Sequence, residues 1–212
     1  MICLHVPLVR DGAHATRHLL DEARIKALSS GCVLINAGRG DCVDGAALTQ
    51  RLASAADLTA VLDVWESEPA IDAALRDQVA LATPHIAGHS LDGKLRGTFM
   101  IPAAMMAAEG EPARLAFADI CPPPALAALE LRQALSFDQA LALCVRAVYD
   151  VRRDHEALAR AIERQGMAQG FDACRTHYPL RREFATLEVR LAGEAVALEA
   201  MLRGAGFAVT RG

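Results

Sequence analysis

Four short apolar runs, separated by helical patterns and turns, constrain the fold of this chain more than any other feature of the sequence. They have the length of β-strands and are almost continuously hydrophobic: residues 2–6, 32–37, 58–64 and 79–82. Continuous rather than alternating hydrophobicity is typical of strands that are covered on both faces. Strands that alternate with helices indicate a parallel sheet with right-handed crossovers. The sequence therefore predicts an α/β fold built on a partial Rossmann-like parallel sheet.

Aspartates mark the predicted starts of two helices between these runs. Asp21 precedes a helix predicted to end at residue 28, and Asp44 precedes one predicted to end at residue 53. A side-chain oxygen at the N-cap accepts a hydrogen bond from a backbone N–H that has no partner inside the helix.

A tight turn around Arg39, between Gly38 and Gly40, follows the second run. Glycine lets the backbone bend sharply, and a guanidinium presents two parallel donors that match a carboxylate. The turn on its own predicts either a site for a small acid or a solvated arginine.

Polar residues follow three of the four predicted strands. Arg39 follows the second, three acids (Asp63, Glu66 and Glu68) follow the third, and His85 follows the fourth. Ligands of open α/β sheets bind beyond the carboxyl ends of the strands, so these side chains are expected to converge. A histidine can exchange a proton with a hydroxyl near neutral pH, and a nearby carboxylate favours its charged form. We therefore interpret Arg39, one of these acids and His85 as candidate catalytic residues of an oxidation whose hydride acceptor must be a cofactor.

The composition excludes several classes of function. The net charge is −4, and the basic and acidic residues are interspersed, so nucleic acid and anionic membranes are not expected partners. The chain contains no uncharged run long enough to span a membrane. Its six cysteines show no metal-ligand spacing, so no metal site is predicted, and they are typical of a reducing compartment. We expect a cytoplasmic protein.

Several of these segments resemble the paired signatures of the D-isomer-specific 2-hydroxyacid dehydrogenases. The matching segments, in the same order and spacing, are 36–40, 63–64, 68–69 and 84–88. The resemblance implies that Arg39 binds the substrate carboxylate or carbonyl, that His85 is the acid/base, and that Glu68 pairs with it. It also implies NAD as the cofactor, with Asp63 at the nicotinamide carboxamide. The residues that would line NAD are His5, Pro7, Ala37, Arg39, Asp63, His85 and Gly88.

The rest of the chain resembles members of this family that oxidise a phosphorylated hydroxyacid and form homodimers through a C-terminal domain. His89, in place of a tyrosine usual in those members, would contact the substrate, and Gly38 stands where serine is common. The cations that could hold the substrate phosphate are Lys94, Arg96, Arg181 and Arg182. For any single one of them, a solvated charged loop is the preferred interpretation.

Local patterns predict the elements that follow the first sheet. A helix from 90 to 108, bent at Pro102, leads into a linker at 111–124. Ser136 with Gln139 forms a capping box for one helix, and Asp154 is predicted to cap another that ends at Gly166. A one-sided strand at 187–191, a helix and a strand at 207–209 complete a small α+β dimerisation domain. The predicted domains are 1–110, 111–124 and 125–212.

One family feature is missing from this sequence. The Gly-x-Gly-x-x-Gly loop that cradles a dinucleotide has no counterpart, because valines replace the third glycine in the candidates at 38–43 and 204–209. The resemblance begins inside the nucleotide-binding domain, so we expect the C-terminal part of an enzyme that binds NAD poorly alone. Two alternatives stay open: a non-catalytic dimerising remnant, and a dehydrogenase of another D-2-hydroxy acid.

Overall fold

The computed structural model describes residues 1–111 and 116–212. By its internal contacts the chain divides into two compact units. The first unit comprises residues 1–87 and 151–178, and the second comprises residues 88–150 and 179–212. None of the helices in the described residues is long and apolar enough to cross a membrane.

A four-stranded parallel sheet forms the centre of the first unit. Its strands lie in the order β1 (Ile2–Leu4), β2 (Val33–Asn36), β3 (Thr59–Leu62) and β4 (Leu81–Ala82). The predicted parallel α/β sheet is thus confirmed, with strands shorter than their apolar runs. The run at 58–64 is longer than β3 because Asp63 and Val64 are buried in the loop that follows the strand.

Short helices connect these strands, and aspartates cap the first two of them as predicted. They are α1 (Glu22–Lys26), α2 (Gly45–Ala55) and α3 (Ala73–Gln78). The Asp21 carboxylate accepts a hydrogen bond from the Arg24 amide at 2.9 Å, and the Asp44 carboxylate accepts one from the Ala47 amide at 3.0 Å.

A helical hairpin from far along the chain belongs to the first unit. It consists of α7 (Val151–Gln165) and α8 (Met167–Thr176), and Leu158 and Phe171 are completely buried in the same core as the sheet. The two helices approach closely at Gly170, where a Cβ would lie 2.6 Å from the Ala161 carbonyl carbon. The sequence did not predict that α7 and α8 pack on the first sheet. The predicted domain boundaries at 110 and 124 stay a prediction.

The predicted capping role of Asp154 is wrong. Helix α7 begins three residues earlier, at Val151, so Asp154 lies inside its first turn. The Asp154 carboxylate instead accepts a hydrogen bond from the Tyr178 hydroxyl at 2.7 Å.

Helix α4 (Leu91–Ala108) opens the second unit. The Ser90 hydroxyl caps it by accepting a hydrogen bond from the Gly93 amide at 3.0 Å, and Pro102 lies inside the helix. The predicted linker contains a short helix, α5 (Phe117–Ile120), and its residues 112–115 lie outside the described part of the chain.

A second parallel sheet forms the core of this unit. Its strands are β5 (Ala128–Leu131), β6 (Glu188–Leu191) and β7 (Ala208–Arg211), in that order. The helices are α6 (Phe137–Val148) and α9 (Glu199–Gly204), the latter preceded by a 3-10 turn at Gly193–Leu198. The predicted capping box of Ser136 and Gln139 is present at the start of α6. In β6, buried Val189 and Leu191 flank exposed Arg190, as the one-sided pattern predicted.

Candidate active site

The turn that carries Arg39 is held by the last residue of β2. The buried Asn36 side chain donates a hydrogen bond to the Arg39 carbonyl at 3.0 Å and accepts one from the Gly38 amide at 3.2 Å. Arg39 itself is exposed, and its guanidinium donates to the Gly38 carbonyl at 2.8 Å. The backbone of the turn is therefore fixed, while the charged group lies at the carboxyl edge of the sheet.

Close packing requires a glycine at position 40 and leaves little room for a side chain at position 38. A Cβ on Gly40 would lie 2.0 Å from the carbonyl of Trp65, and one on Gly38 would lie 3.3 Å from the Cα of His5. Neither glycine has a positive φ. The sequence suggested glycine for a sharp bend, whereas the structure shows that the arginine turn packs directly against the segment that follows β3.

Glu68 and His85 form the predicted pair. Their Oε2 and Nδ1 atoms are 2.7 Å apart, and the second Glu68 oxygen accepts a hydrogen bond from the Trp65 amide at 2.8 Å. His85 has a φ of +55°, and its amide donates to the Asp63 carbonyl at 2.6 Å. Because Nδ1 is committed to Glu68, Nε2 is the ring nitrogen that can exchange a proton with a hydroxyl.

Asp63 holds the backbone around His85. Its buried carboxylate accepts hydrogen bonds from the Thr83 hydroxyl at 2.6 Å, the Ile86 amide at 2.8 Å and the Ala87 amide at 2.9 Å. An ionised carboxylate offers about four acceptor sites, and donors among the described residues occupy three of them. A carboxylate oxygen also matches the N–H of a carboxamide, which is the role that the family resemblance implies for Asp63.

The strand ends predicted to line the cofactor lie side by side. The Ala37 amide donates to the Leu4 carbonyl at 3.3 Å, which brings the end of β2 next to the end of β1. His5 and Pro7 follow β1 directly, and the Pro7 carbonyl accepts a hydrogen bond from Thr16 at 2.6 Å. Gly88 and half-buried His89 are the first residues of the second unit.

Two of the candidate phosphate ligands are exposed, and two of the candidates lie against aromatic rings. Lys94 and Arg96 are exposed on α4, and the Arg96 guanidinium lies 4.5 Å from the Phe117 ring centre. The Arg181 guanidinium lies 4.6 Å from the ring centre of Tyr149. All three cations are in the second unit.

Arg182, the fourth candidate, is engaged in an ion pair. It binds both carboxylate oxygens of buried Asp92 at 2.9 Å and the Pro122 carbonyl at 2.8 Å. Burial alone would raise the pKa of Asp92, but hydrogen bonds from Arg182, the Glu183 amide and Cys121 outweigh it and lower the pKa to about 2. With its donors committed inside the protein, Arg182 is not placed to bind a phosphate.

A second histidine–carboxylate cluster lies in the first unit and was not found from the sequence. His18 Nε2 is 2.8 Å from Glu66 Oε1, and the other Glu66 oxygen accepts a hydrogen bond from the Gly45 amide at 2.9 Å. Glu66 and Glu68, two residues apart, therefore contact different histidines. A Glu-x-Glu segment after a strand was the available signal, but the sequence does not show which histidine each glutamate would meet.

Family models match most of the chain in two parts. Residues 1–87 match the NAD-binding domain of the D-isomer specific 2-hydroxyacid dehydrogenases, and residues 120–204 match a domain of unknown function, DUF3410.

Curated relatives match almost every residue of the chain. The chain is 56% identical to an erythronate-4-phosphate dehydrogenase of Chromohalobacter salexigens, over 99% of this chain and 55% of that protein. It is 47% identical to the enzyme of the same name from Azotobacter vinelandii, over 97% of this chain and 55% of that protein. The chain thus spans about half the length of the relatives it matches. Among solved structures, a glyoxylate reductase from Paecilomyes thermophila matches 52% of this chain and 34% of its own, with 26% identity and a TM-score of 0.43.

The site and the sequence comparisons agree. The histidine, glutamate and arginine follow successive strands in the region that matches the NAD-binding domain. Relatives named erythronate-4-phosphate dehydrogenase confirm the predicted resemblance to proteins that act on a phosphorylated hydroxyacid. The first 87 residues of this chain match the NAD-binding domain of the D-isomer specific 2-hydroxyacid dehydrogenases, and almost the whole chain is similar to relatives named erythronate-4-phosphate dehydrogenase.

Proposed function

We propose that this chain carries the acid/base site of an enzyme that oxidises 4-phospho-D-erythronate with NAD, to the 2-oxo-4-phosphate acid, in pyridoxal 5'-phosphate biosynthesis. The observation that carries the proposal is the 2.7 Å contact between Glu68 and His85 at the carboxyl edge of the parallel sheet. Relatives named erythronate-4-phosphate dehydrogenase, with 56% and 47% identity, support this choice of substrate.

Each of the three residues has a role in this reaction. His85 Nε2 removes the proton of the 2-hydroxyl, and the Glu68 carboxylate stabilises the imidazolium that results. Arg39 binds the substrate carboxylate, because its exposed guanidinium can exchange its bond to the Gly38 carbonyl for a bidentate contact. NAD, when bound, accepts the hydride. Lys94, Arg96 and Arg181 are the proposed ligands of the substrate phosphate, and His89 is a proposed substrate contact.

The residues present fit one end of NAD. The Asp63 carboxylate and the adjacent ends of β1 and β2 suit the nicotinamide, with His5, Pro7, Ala37 and Gly88 as further proposed contacts. The Gly38–Gly40 turn does not suit a pyrophosphate, because Trp65 occupies the space beside Gly40. In this proposal the chain therefore supplies the residues that transfer the proton and those that contact the nicotinamide.

We also propose that the protein forms a homodimer through the second unit and is cytoplasmic. Leu143 and Met201, both in this unit, are each 46% exposed, and apolar side chains of this kind suit a twofold interface. The six cysteines are unpaired, as expected in a reducing compartment.

The proposed function can be tested with a chimera. This chain would be fused to the N-terminal part of the Chromohalobacter relative that it does not match, and NADH formation would be measured. We expect oxidation of 4-phosphoerythronate well above that of unphosphorylated erythronate. His85→Gln should lower kcat by about a hundredfold to ten-thousandfold, as expected for loss of an acid/base.

Glu66→Gln is the matched control for Glu68→Gln, because Glu66 contacts His18 instead of His85. Only the change at position 68 should lower kcat strongly. A folded chimera that is inactive, or that prefers an unphosphorylated hydroxyacid, would contradict the proposal.

A further inference from the structure

The three candidate catalytic residues come from three separate loops, so something must fix their relative positions. Arg39 follows β2, Glu68 lies in the loop after β3, and His85 follows β4. A single residue, Trp65, contacts all three loops through its backbone and its indole. It is 4% exposed and lies in the core of the first unit.

The backbone of Trp65 contacts the first two loops. Its amide donates a hydrogen bond to Glu68 Oε1 at 2.8 Å, which leaves the other oxygen for His85. A Cβ built on Gly40 would lie only 2.0 Å from the Trp65 carbonyl. Gly40, the residue after Arg39, therefore packs directly on the backbone of Trp65.

The indole of Trp65 contacts the third loop. Its Nε1–H donates to the Thr83 carbonyl at 2.9 Å, two residues before His85. The same loop is held from the other side by Asp63, through the Thr83 hydroxyl and the Ile86 amide. The indole and the Asp63 carboxylate together fix the backbone from which His85 projects at a φ of +55°.

We propose that Trp65 is a positioning residue that sets the placement of His85 and Glu68 relative to the Arg39 turn. The inference rests on the proposed function, because it assigns Trp65 to the same site. Trp65 touches neither substrate nor cofactor in this scheme. It acts through one indole hydrogen bond, one amide hydrogen bond and one backbone contact.

The chain contains a single tryptophan, which permits a sharp test. Production in a tryptophan auxotroph fed with 3-benzothienylalanine replaces the indole N–H by sulfur at Trp65 alone and keeps the ring shape. We expect amide hydrogen exchange at Ile86 and Ala87 to become about two- to tenfold faster, the change that corresponds to loss of one hydrogen bond. The His85 ring nitrogens should shift in the NMR spectrum, while the amides of β2 exchange at their original rates. Trp65→Phe, which also lacks the donor, should give the same pattern.

Two results would overturn the inference. One is unchanged exchange at Ile86 and Ala87, and the other is equal acceleration in β2, which would mean that Trp65 only supports the core. Both measurements use the chain without substrate, so they are independent of whether the chimera oxidises 4-phosphoerythronate. In an active chimera, Trp65→Phe should lower kcat more than it raises KM.

Discussion

The contact between Gly40 and Trp65 links the arginine turn to the rest of the site through backbone atoms alone. No side chain of any size fits at position 40, because Trp65 C and O would each lie 2.0 Å from its Cβ. At Gly97, by contrast, a Cβ would meet no atom within 4 Å. The two glycines therefore serve different purposes, one in packing and one on an open helix surface.

Gly40→Ala is expected to destabilise the protein by about 1–3 kcal/mol, the usual cost of overpacking a filled site. Urea unfolding followed by circular dichroism would measure the change. Gly97→Ala is the control, and it should be neutral or stabilise by up to about 1 kcal/mol, because alanine favours the helix. Equal stabilities for Gly40→Ala and the unmodified chain would mean that the turn can move away from Trp65.

The buried ion pair of Asp92 and Arg182 makes the stability of the second unit depend on pH. The pKa of Asp92 is lowered from its ordinary value of 3.8 to about 2 in the folded protein. A group whose pKa is depressed by folding contributes stability above its unfolded pKa and loses it as the pH falls. The contribution is about 2 kcal/mol at neutral pH and disappears between about pH 4 and pH 2.

Asp92→Asn should remove this dependence and lower the free energy of unfolding at pH 7 by about 3 kcal/mol, because Arg182 is left without its buried partner. Urea titrations at pH 7 and pH 3 would show both effects. Glu194→Gln, an exposed change in the same unit, should cost less than about 0.5 kcal/mol. If Asp92→Asn loses as much stability between pH 7 and pH 3 as the unmodified chain, the ion pair is not the cause.

At the scale of secondary structure, the edge of the first sheet is completed by a distant helix. The amide of Ala82 in β4 donates to His155 Nδ1 on α7 at 3.0 Å. An edge strand leaves backbone groups without partners, and here an imidazole accepts one of them. The acceptor nitrogen must be unprotonated, so the proton of the neutral ring lies on Nε2.

His155→Leu should leave the Ala82 amide without an acceptor and destabilise the protein by about 1–3 kcal/mol. Amide exchange at Ala82 is the direct measurement, and it should accelerate more than exchange in β2. Glu156→Ala changes the next residue, which makes an exposed ion pair with Arg160 and should cost less than about 1 kcal/mol. Unchanged exchange at Ala82 would show that His155 is not its partner in solution.

The sequence predicted most of the first sheet and its helix starts, because these depend on local apolar runs and on single capping residues such as Asp21 and Asp44. The strand order predicted that an acid and His85 would lie at the same edge of the sheet, and the family resemblance predicted that the acid would be Glu68. The sequence could not predict Trp65, whose partners lie 18 and 25 positions away at Thr83 and Gly40. Such contacts depend on how loops pack, and local periodicity carries no information about them.

At the scale of the whole molecule, the chain combines the Glu68–His85 pair, to which we assign proton transfer, with a sequence that lacks the glycine-rich loop of dinucleotide sites. Pyrophosphate groups of dinucleotides bind at a helix N-terminus behind a glycine-rich loop. The sequence has no Gly-x-Gly-x-x-Gly segment, and the space beside Gly40 is filled by protein. Under the proposed function, proton transfer and cofactor binding therefore depend on different parts of the protein.

Isothermal titration of the chain with NAD should accordingly show no saturable binding up to about 1 mM, because the pyrophosphate provides much of the affinity of a dinucleotide. The chimera with the Chromohalobacter segment is the control, and it should bind NAD with a measurable heat. Micromolar affinity of the chain alone would contradict this expectation.

The hairpin formed by α7 and α8 also bears on the order in which the protein can fold during synthesis. The core that surrounds Leu34 includes Leu158 and Phe171, which leave the ribosome long after β4. Domains generally fold as units while the chain is being made, and the first unit is interrupted by residues 88–150. The apolar surface of the first sheet that α7 and α8 later cover therefore stays exposed while more than sixty further residues are translated. Until then the nascent chain presents the kind of surface that chaperones bind.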